Sequence, residues 1–258
     1  MLQAIDISRA GMLRQSTWLD ATAGNIANAQ TSGYKAQQTV LETGEDTMAA
    51  RPDLATGTAT PGLTGFVRLT RLFTQGPIEA TGNPTDLAID GEGFFQVLTA
   101  GGTIGYTRAG AFAFDATGQL TDGNGHVVQP PIVLPPGASP DNVRIAPDGT
   151  VTLPGANGQT QTLGRIQLAR FINPNGLLAG ADGVYVATAA SGAPITGAPG
   201  ANGFGRIVAG ALEGSNTDLA AQMAALIAAE RGYQINATAF KVADEMLGVS
   251  SQMGASTV

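Results

Sequence analysis

The sequence predicts an α+β protein in which N- and C-terminal helices pack as a coiled-coil-like tube domain around a looped-out, central all-β domain. Three observations predict it. Ile5, Met12, Leu19 and Ile26 recur every seven residues near the start of the chain, and Leu219, Leu226, Tyr233, Phe240 and Leu247 do so near its end. Between them the pattern changes to short alternating apolar runs separated by Gly- and Pro-containing turns. A seven-residue repeat keeps one apolar seam on one side of a helix and winds it against a partner helix. Helices so far apart in sequence can pair only if the middle forms a separate body. The predicted organisation is an N-terminal helix region at 1–35, an extended arm at 36–65, a β-rich domain at 66–208 and a C-terminal helix region at 209–258.

The first helix is expected from about residue 3 to Asn28, with Gly33 free to take the left-handed conformation that ends helices. Ala4, Ala10, Gly11, Ala21, Ala23 and Ala27 occupy faces where a surface helix ordinarily carries Glu and Lys. Such small residues suit close approach by more than one neighbour. Residues 36–65 lose periodicity and contain Arg51-Pro52-Asp53 and Thr60-Pro61-Gly62, which read as an arm or linker.

Strand patterns follow at Val67–Leu69, Leu87–Ile89, Phe94–Leu98, Phe112–Phe114, Val143–Ile145, Val151–Leu153, Ile166–Leu168 and Val184–Val186. The clearest hairpin joins residues 143–146 to 150–153 through Pro147-Asp148-Gly149. The second helix is expected after Ser215-Asn216-Thr217-Asp218, where Ser215 and Asp218 have capping-box spacing, and it runs to Leu247 with Gly248 as its stop. Met223, Glu230, Ala237 and Asp244 occupy the alternate heptad positions, so a simple leucine zipper is not expected. Gly232 inside this helix costs about 1 kcal/mol relative to Ala and would allow close contact with another subunit.

Charged residues make up 13% of the 258, and 36 are Gly, a composition that leaves little polar surface and favours burial against neighbours. The net charge is −7 with scattered Arg and Lys, which gives no basic patch for nucleic acid. Residues 1–35 carry a net positive charge and residues 211–258 a net negative one, as suits helices that pack together. There is no Cys, so disulfide and thiolate chemistry are excluded. Asp6, Arg9 and Arg14 interrupt the N-terminal region, which reads as lacking a cleavable signal peptide. The charge-free run Leu219–Ala229 falls short of the roughly 20 residues that span a bilayer, so no membrane insertion is expected.

Catalytic and metal patterns fail on inspection. His126 is the single histidine and reads as a turn residue after Asp122-Gly123-Asn124-Gly125. That run places His126 and Val127 where a calcium loop needs a ligand and a Gly. Gly91-Glu92-Gly93 lacks the third Gly of a dinucleotide fingerprint and precedes a strand. No phosphate-binding loop or nucleophile elbow is present, and Asp86, Asp90 and Glu92 read as turn or solubilising groups. No cofactor, metal or catalytic residue is expected.

Gly24-Asn25-Ile26-Ala27-Asn28-Ala29-Gln30-Thr31-Ser32-Gly33-Tyr34-Lys35 resembles the N-terminal signature of bacterial flagellar axial proteins, the rod and hook family. Gly24 stands for an Asn of that signature and Tyr34 for a Phe. Leu212-Glu213-Gly214-Ser215-Asn216-Thr217, Glu230-Arg231-Gly232-Tyr233 and Asp244-Glu245-Met246-Leu247 resemble its C-terminal elements. Thr74-Gln75-Gly76, Asp86 to Phe95 and Tyr106 to Phe112 match motifs shared by rod and hook members. Phe171-Ile172-Asn173-Pro174-Asn175-Gly176-Leu177 and Ser191-Gly192-Ala193-Pro194 resemble distal-rod members in particular.

The resemblance implies a structural subunit of the distal rod in the flagellar basal body, which polymerises helically and transmits torque from motor to hook. It implies export through the flagellar type III apparatus, a location in the rod crossing the periplasm, and partners among copies of itself, proximal rod proteins, hook protein and the P- and L-ring proteins. Ile5, Met12, Leu19, Ile26, Leu219, Met223, Leu226, Tyr233, Phe240 and Leu247 are the expected polymerisation residues. Asn25, Asn28, Thr31, Gly33, Tyr34, Lys35, Ser215 and Asn216 carry the family motif. The alternatives are a proximal rod or hook subunit, or an enzyme acting on the cell wall.

Overall fold

The computed structural model describes residues 2–43, 65–155 and 159–255. They form two compact units. One holds helices α1 (Leu2–Ala27) and α2 (Leu219–Ala255) with the strands Gln37–Thr43 and Gly65–Arg71; the other holds residues 28–36 together with the β-rich stretch from Leu72 to Thr217. The β body that the sequence places at 66–208 therefore lacks the strand ending at Arg71 and gains both the stretch after the first helix and the motif before the second.

In the helical unit α1 and α2 run antiparallel. A Cβ at Gly11 would lie 2.6 Å from Asn236 Oδ1, and one at Gly232 would lie 2.6 Å from Gln15 Nε2. Asn25 donates to Gln222 Oε1 at 3.0 Å. These contacts give one register, and they put glycines and amides on its closest line. Ser8, Gly11, Ala21, Thr22 and Asn25 are buried on α1, and Ala229 and Ala243 on α2. The heptad residues Ile5, Met12, Leu19 and Ile26, and Leu226, Phe240 and Leu247, are half-buried beside that line. Leu219, Met223 and Tyr233 are exposed. The large apolar heptad positions are thus not the deepest ones, because small residues let the two backbones approach more closely than leucine knobs would.

Three expectations for this unit need correction. Asp218, not Ser215, caps α2: its carboxylate accepts from the amides of Ala220 and Ala221 at 3.0 and 3.1 Å, while the Ser215 hydroxyl binds Thr217. Helix α2 does not stop at Gly248 but continues to Ala255, because a glycine ends a helix only where it turns left-handed, and Gly248 does not. The ends of the expected extended arm are paired strands, with Gln37 opposite Arg71 and Thr43 opposite Gly65. Their β-branched and apolar residues, such as Thr39, Val40 and Val67, suit a pleated surface. The rest of that arm, 44–64, lies outside the described residues.

The β unit is antiparallel throughout. Its largest sheet orders the strands 178–179, 185–186, 104–107, 94–98, 127–128, 120–122 and 112–114, while Leu168–Arg170 pairs with both 94–98 and 195–197. Leu87, Ile89, Phe95, Val97, Leu120, Ile166, Leu168 and Ile207 form the main core, fully withdrawn from water. A second core is aromatic, with Tyr106 and Phe171 centroids 4.7 Å apart and Phe73 5.4 Å from Tyr185, all edge-to-face. The expected hairpin forms, with Ile145 opposite Val151 and Gly149 at φ 84° closing the turn. His126, expected on an exposed turn, is only 8% exposed: its ring nitrogen meets Asp122 Oδ2 at 2.8 Å, which makes it the peg of its own loop. Among the described residues no helix is long and apolar enough to cross a membrane.

Gly110 shows how tightly this unit is packed, since a Cβ there would lie 1.7 Å from the Leu87 carbonyl oxygen. Gly110→Ala should destabilise the protein by about 3 kcal/mol, because the obstacle is backbone. Gly123→Ala, which meets nothing within 4 Å, should stay within about 0.5 kcal/mol of the parent. Urea unfolding of the two purified variants measures both.

Candidate functional site

Two of the motif residues, Gly33 and Lys35, meet at a single carboxylate. Glu213 ends the strand Ala211–Glu213, which pairs with Ile78–Ala80, and its side chain is fully buried. A charge in that position survives only if every lone pair is used. Its Oε1 accepts from Lys35 Nζ at 2.6 Å and from the Gly76 amide at 2.9 Å. Its Oε2 accepts from Arg108 Nη1 at 3.1 Å, and its backbone carbonyl accepts from the Gly33 amide at 2.7 Å. Lys35 Nζ also donates to the Thr74 carbonyl at 2.8 Å, and Arg108 Nη2 to the Gly91 carbonyl at 2.9 Å. The Arg108 guanidinium lies over the Phe94 ring, 5.3 Å from its centroid.

The glycines around this cluster have steric reasons. Gly33 sits at φ +71°, and a Cβ on it would lie 2.4 Å from the Ala109 amide nitrogen. One on Gly76 would lie 2.1 Å from the Gly214 carbonyl oxygen. Backbone must approach backbone at both places before the three charged groups can meet. Asn216 clamps the same region: its Oδ1 accepts from the Ala36 amide at 2.7 Å, and its Nδ2 donates to the carbonyls of Leu72 and Thr74 at 2.7 and 3.1 Å.

Two cations share one anion, all three buried. Burial pushes the Lys35 ammonium below the ordinary lysine range, and the hydrogen bond and charge of Glu213 oppose that push. Arg108 is lowered for the same reason and likewise supported by Glu213. Its Nε is buried without an acceptor. The cluster is an internal clasp: the Lys35 and Glu213 side chains are fully buried and that of Arg108 is 6% exposed. Among the described residues no group of three or more His, Cys, Asp or Glu side chains is placed to hold a metal.

The other motif residues act locally. Asn25 spans its own unit, accepting from the Gln37 amide at 2.7 Å and donating to the Gln37 carbonyl at 2.8 Å. Asn28 accepts from the amide and hydroxyl of Thr31. The amide of Tyr34 donates to the Thr31 carbonyl, and Tyr34 in turn accepts from the Asn216 amide. Ser215 accepts from the Thr217 amide. The functional candidates absent from the sequence reading are Glu213 and Arg108. Their only signal was charge inside motifs otherwise built of small, apolar and hydroxyl residues.

On the helical unit the candidate surface is apolar. Met223, Ile227, Ile235, Val242, Met246 and Val249 are exposed on α2, and Ile235 is 70% exposed. Arg231, Gln234, Ile235, Thr238, Ala239, Val242, Ala243 and Met246 line a shallow groove there.

Three family models match the chain: a flagella basal body rod protein model over residues 5–35, a flagellar hook protein FlgE/F/G D1 domain model over 88–153, and a flagellar basal body rod FlgEFG protein C-terminal model over 208–253. The flagellar basal-body rod protein FlgG of Caulobacter vibrioides is 36% identical, with 98% of this chain and 99% of the relative covered. That of Agrobacterium fabrum is 37% identical over 97% and 99%. The flagellar basal-body rod protein FlgF of Escherichia coli is 33% identical over 90% of each.

Removing the shared anion of this cluster leaves both buried cations unpaired. Glu213→Gln, which strands both cations, should therefore cost about 3–5 kcal/mol in urea unfolding, and Lys35→Met, which leaves Glu213 paired with Arg108, clearly less. The double variant should cost clearly less than the two costs added, since it strands only Arg108 where Glu213→Gln alone strands Lys35 as well. Simple additivity in that cycle would show that the clasp does not couple the two ends of the motif.

Proposed function

This chain belongs to the flagellar basal-body rod protein family as a structural subunit of the rod, and we propose that it builds the distal part of that shaft by helical polymerisation and carries torque toward the hook. The observation that carries the reading is full-length similarity to rod proteins combined with an apolar face on α2 that α1 leaves uncovered. Of the expected polymerisation residues, Leu219, Met223 and Tyr233 are exposed, and we assign subunit contact to them together with Ile235, Val242 and Met246. Ile5, Met12, Leu19, Ile26, Leu226, Phe240 and Leu247 serve the pairing of α1 with α2 inside one subunit.

Torque requires that a subunit not shear internally. The buried clasp of Lys35, Arg108 and Glu213 supports this role, because separating a desolvated ion cluster is costly. Export through the flagellar type III apparatus, and contacts with proximal rod, hook and ring proteins, follow from the same reading. A second reading, a proximal rod or hook subunit, draws on the FlgF relative and on the hook-protein domain model.

Val242→Asp tests the assignment. It should leave the unfolding free energy within about 0.5 kcal/mol, as an exposed substitution does, yet abolish motility and leave basal bodies without a distal rod in electron micrographs. Normal rods in that variant would remove α2's outer face from the assembly.

A further inference from the structure

We propose that Asn202-Gly203 is a self-modification site, at which the glycine amide attacks the asparagine side chain and converts it to aspartate or isoaspartate with help from the Arg170 guanidinium. The reaction needs an asparagine followed by a residue with no side chain to shield its own nitrogen. It also needs that nitrogen to be uncommitted.

The sequence holds four such pairs, Asn124-Gly125, Asn157-Gly158, Asn175-Gly176 and Asn202-Gly203. Asn157-Gly158 lies outside the described residues. In two of the remaining three the nitrogen is taken: the Gly125 amide donates to the Asp122 carbonyl and the Gly176 amide to the Asn173 carbonyl, each at 3.1 Å. Gly176 is also packed so closely that a Cβ would lie 2.4 Å from the Ser191 amide nitrogen. The third pair differs on each count. Asn202 and Gly203 are exposed, and among the described residues neither the Asn202 side chain nor the Gly203 amide has a hydrogen-bond partner.

The ends of this turn are nevertheless fixed. The Gly200 amide donates to the Gly205 carbonyl at 2.9 Å, the Phe204 amide to the Ala201 carbonyl at 2.9 Å and the Gly205 amide to the Glu92 carbonyl at 2.7 Å, and Phe204 is buried. Asn202 and Gly203 have φ values of 51° and 80°, a left-handed backbone that Asn and Gly accept more readily than other residues. Attack requires the Gly203 nitrogen to swing toward the side chain. It gives up no acceptor in doing so.

Arg170 supplies the charge. Its guanidinium lies over the Phe204 ring, 5.5 Å from the centroid, and a Cβ on Gly203 would lie 2.9 Å from its Nη1. Its carboxylate neighbour Glu92 is loosely held at 3.6 Å. A cation so placed favours loss of the Gly203 amide proton and stabilises the oxyanion that develops on the Asn202 side chain. Solvent base takes that proton, the nitrogen bonds to Asn202 Cγ, and the Cγ–Nδ2 bond breaks as ammonia leaves with a proton from water. The product is a five-membered succinimide, formed without oxidant or reductant. Water then opens the ring at either carbonyl, giving aspartate or isoaspartate at position 202. Aspartate adds a carboxylate beside Arg170, in competition with Glu92. Isoaspartate also lengthens the main chain by a carbon inside a turn whose ends are fixed, so it is the product expected to loosen the β unit.

The test incubates the purified full chain in mildly alkaline buffer, with and without urea, and follows each asparagine by peptide mapping and mass spectrometry. Isoaspartate is read by labelling with an isoaspartate methyltransferase. In the folded protein position 202 should convert about fivefold faster than 124 and 175, which must first break a backbone hydrogen bond. In urea the three rates should converge, because the dipeptide is the same. Arg170→Gln should slow conversion at 202 alone. Should that variant unfold, seen as acceleration at 124 and 175, Glu92→Gln tests the same point, since freeing the guanidinium should speed conversion at 202. Equal rates at the three positions in the folded protein would overturn the proposal, as would a lead for 202 that persists in urea. An unchanged rate at 202 in the folded variants would remove Arg170 from the site.

Discussion

A fully desolvated carboxylate must be surrounded by donors, and Glu213 imposes that requirement on the β unit. It cannot be satisfied from nearby residues. The donors come from Lys35, Gly76 and Arg108, which lie far apart in the chain. Each brings its own segment: the stretch after α1, the start of the β-rich region and the strand end after Thr107. Glycines at 33 and 76 are the steric condition for their meeting, and the amide of Asn216 ties in what the ions leave. Gly33, Lys35, Gly76 and Arg108 of the motifs therefore serve one buried charge, while Asn25, Asn28, Thr31 and Ser215 bond elsewhere.

The helical unit obeys a different constraint. Its two helices meet through glycine, alanine and side-chain amides, so their closest line excludes bulk, and the large apolar residues are displaced to the flanks. Displacement leaves much of α2's apolar surface uncovered. For a monomer such exposed apolar surface is a liability; in the function proposed above it is the means of assembly.

Much of this was legible in the sequence. Both helices, the all-β middle and the hairpin at 147–149 follow from periodicity and turn chemistry, and Lys35 and Asn216 were marked by their motifs. What the sequence hid was partnership across distance. Glu213 was legible only as one letter of a family motif, because spacing does not show that a residue so far away will donate to it. Gly232 looked like a gap left for another subunit, but Gln15 of the same chain fills it. The heptads located the helices correctly without identifying the contact line, since small residues are silent in a hydrophobic repeat. His126 and Asp218 were misjudged for a related reason: their roles depend on a hydrogen bond that composition does not reveal.

The central claim is a division of labour, with the ion clasp acting within a subunit and the outer face of α2 acting between subunits. Helical reconstruction of the native rod by electron cryomicroscopy, at a resolution that shows side chains, tests it most directly. The account predicts Lys35 and Arg108 on Glu213 of the same copy, with Ile235, Val242 and Met246 covered by a neighbouring copy. A rod in which those α2 residues face solvent, or in which Glu213 pairs with a cation from another subunit, would contradict it.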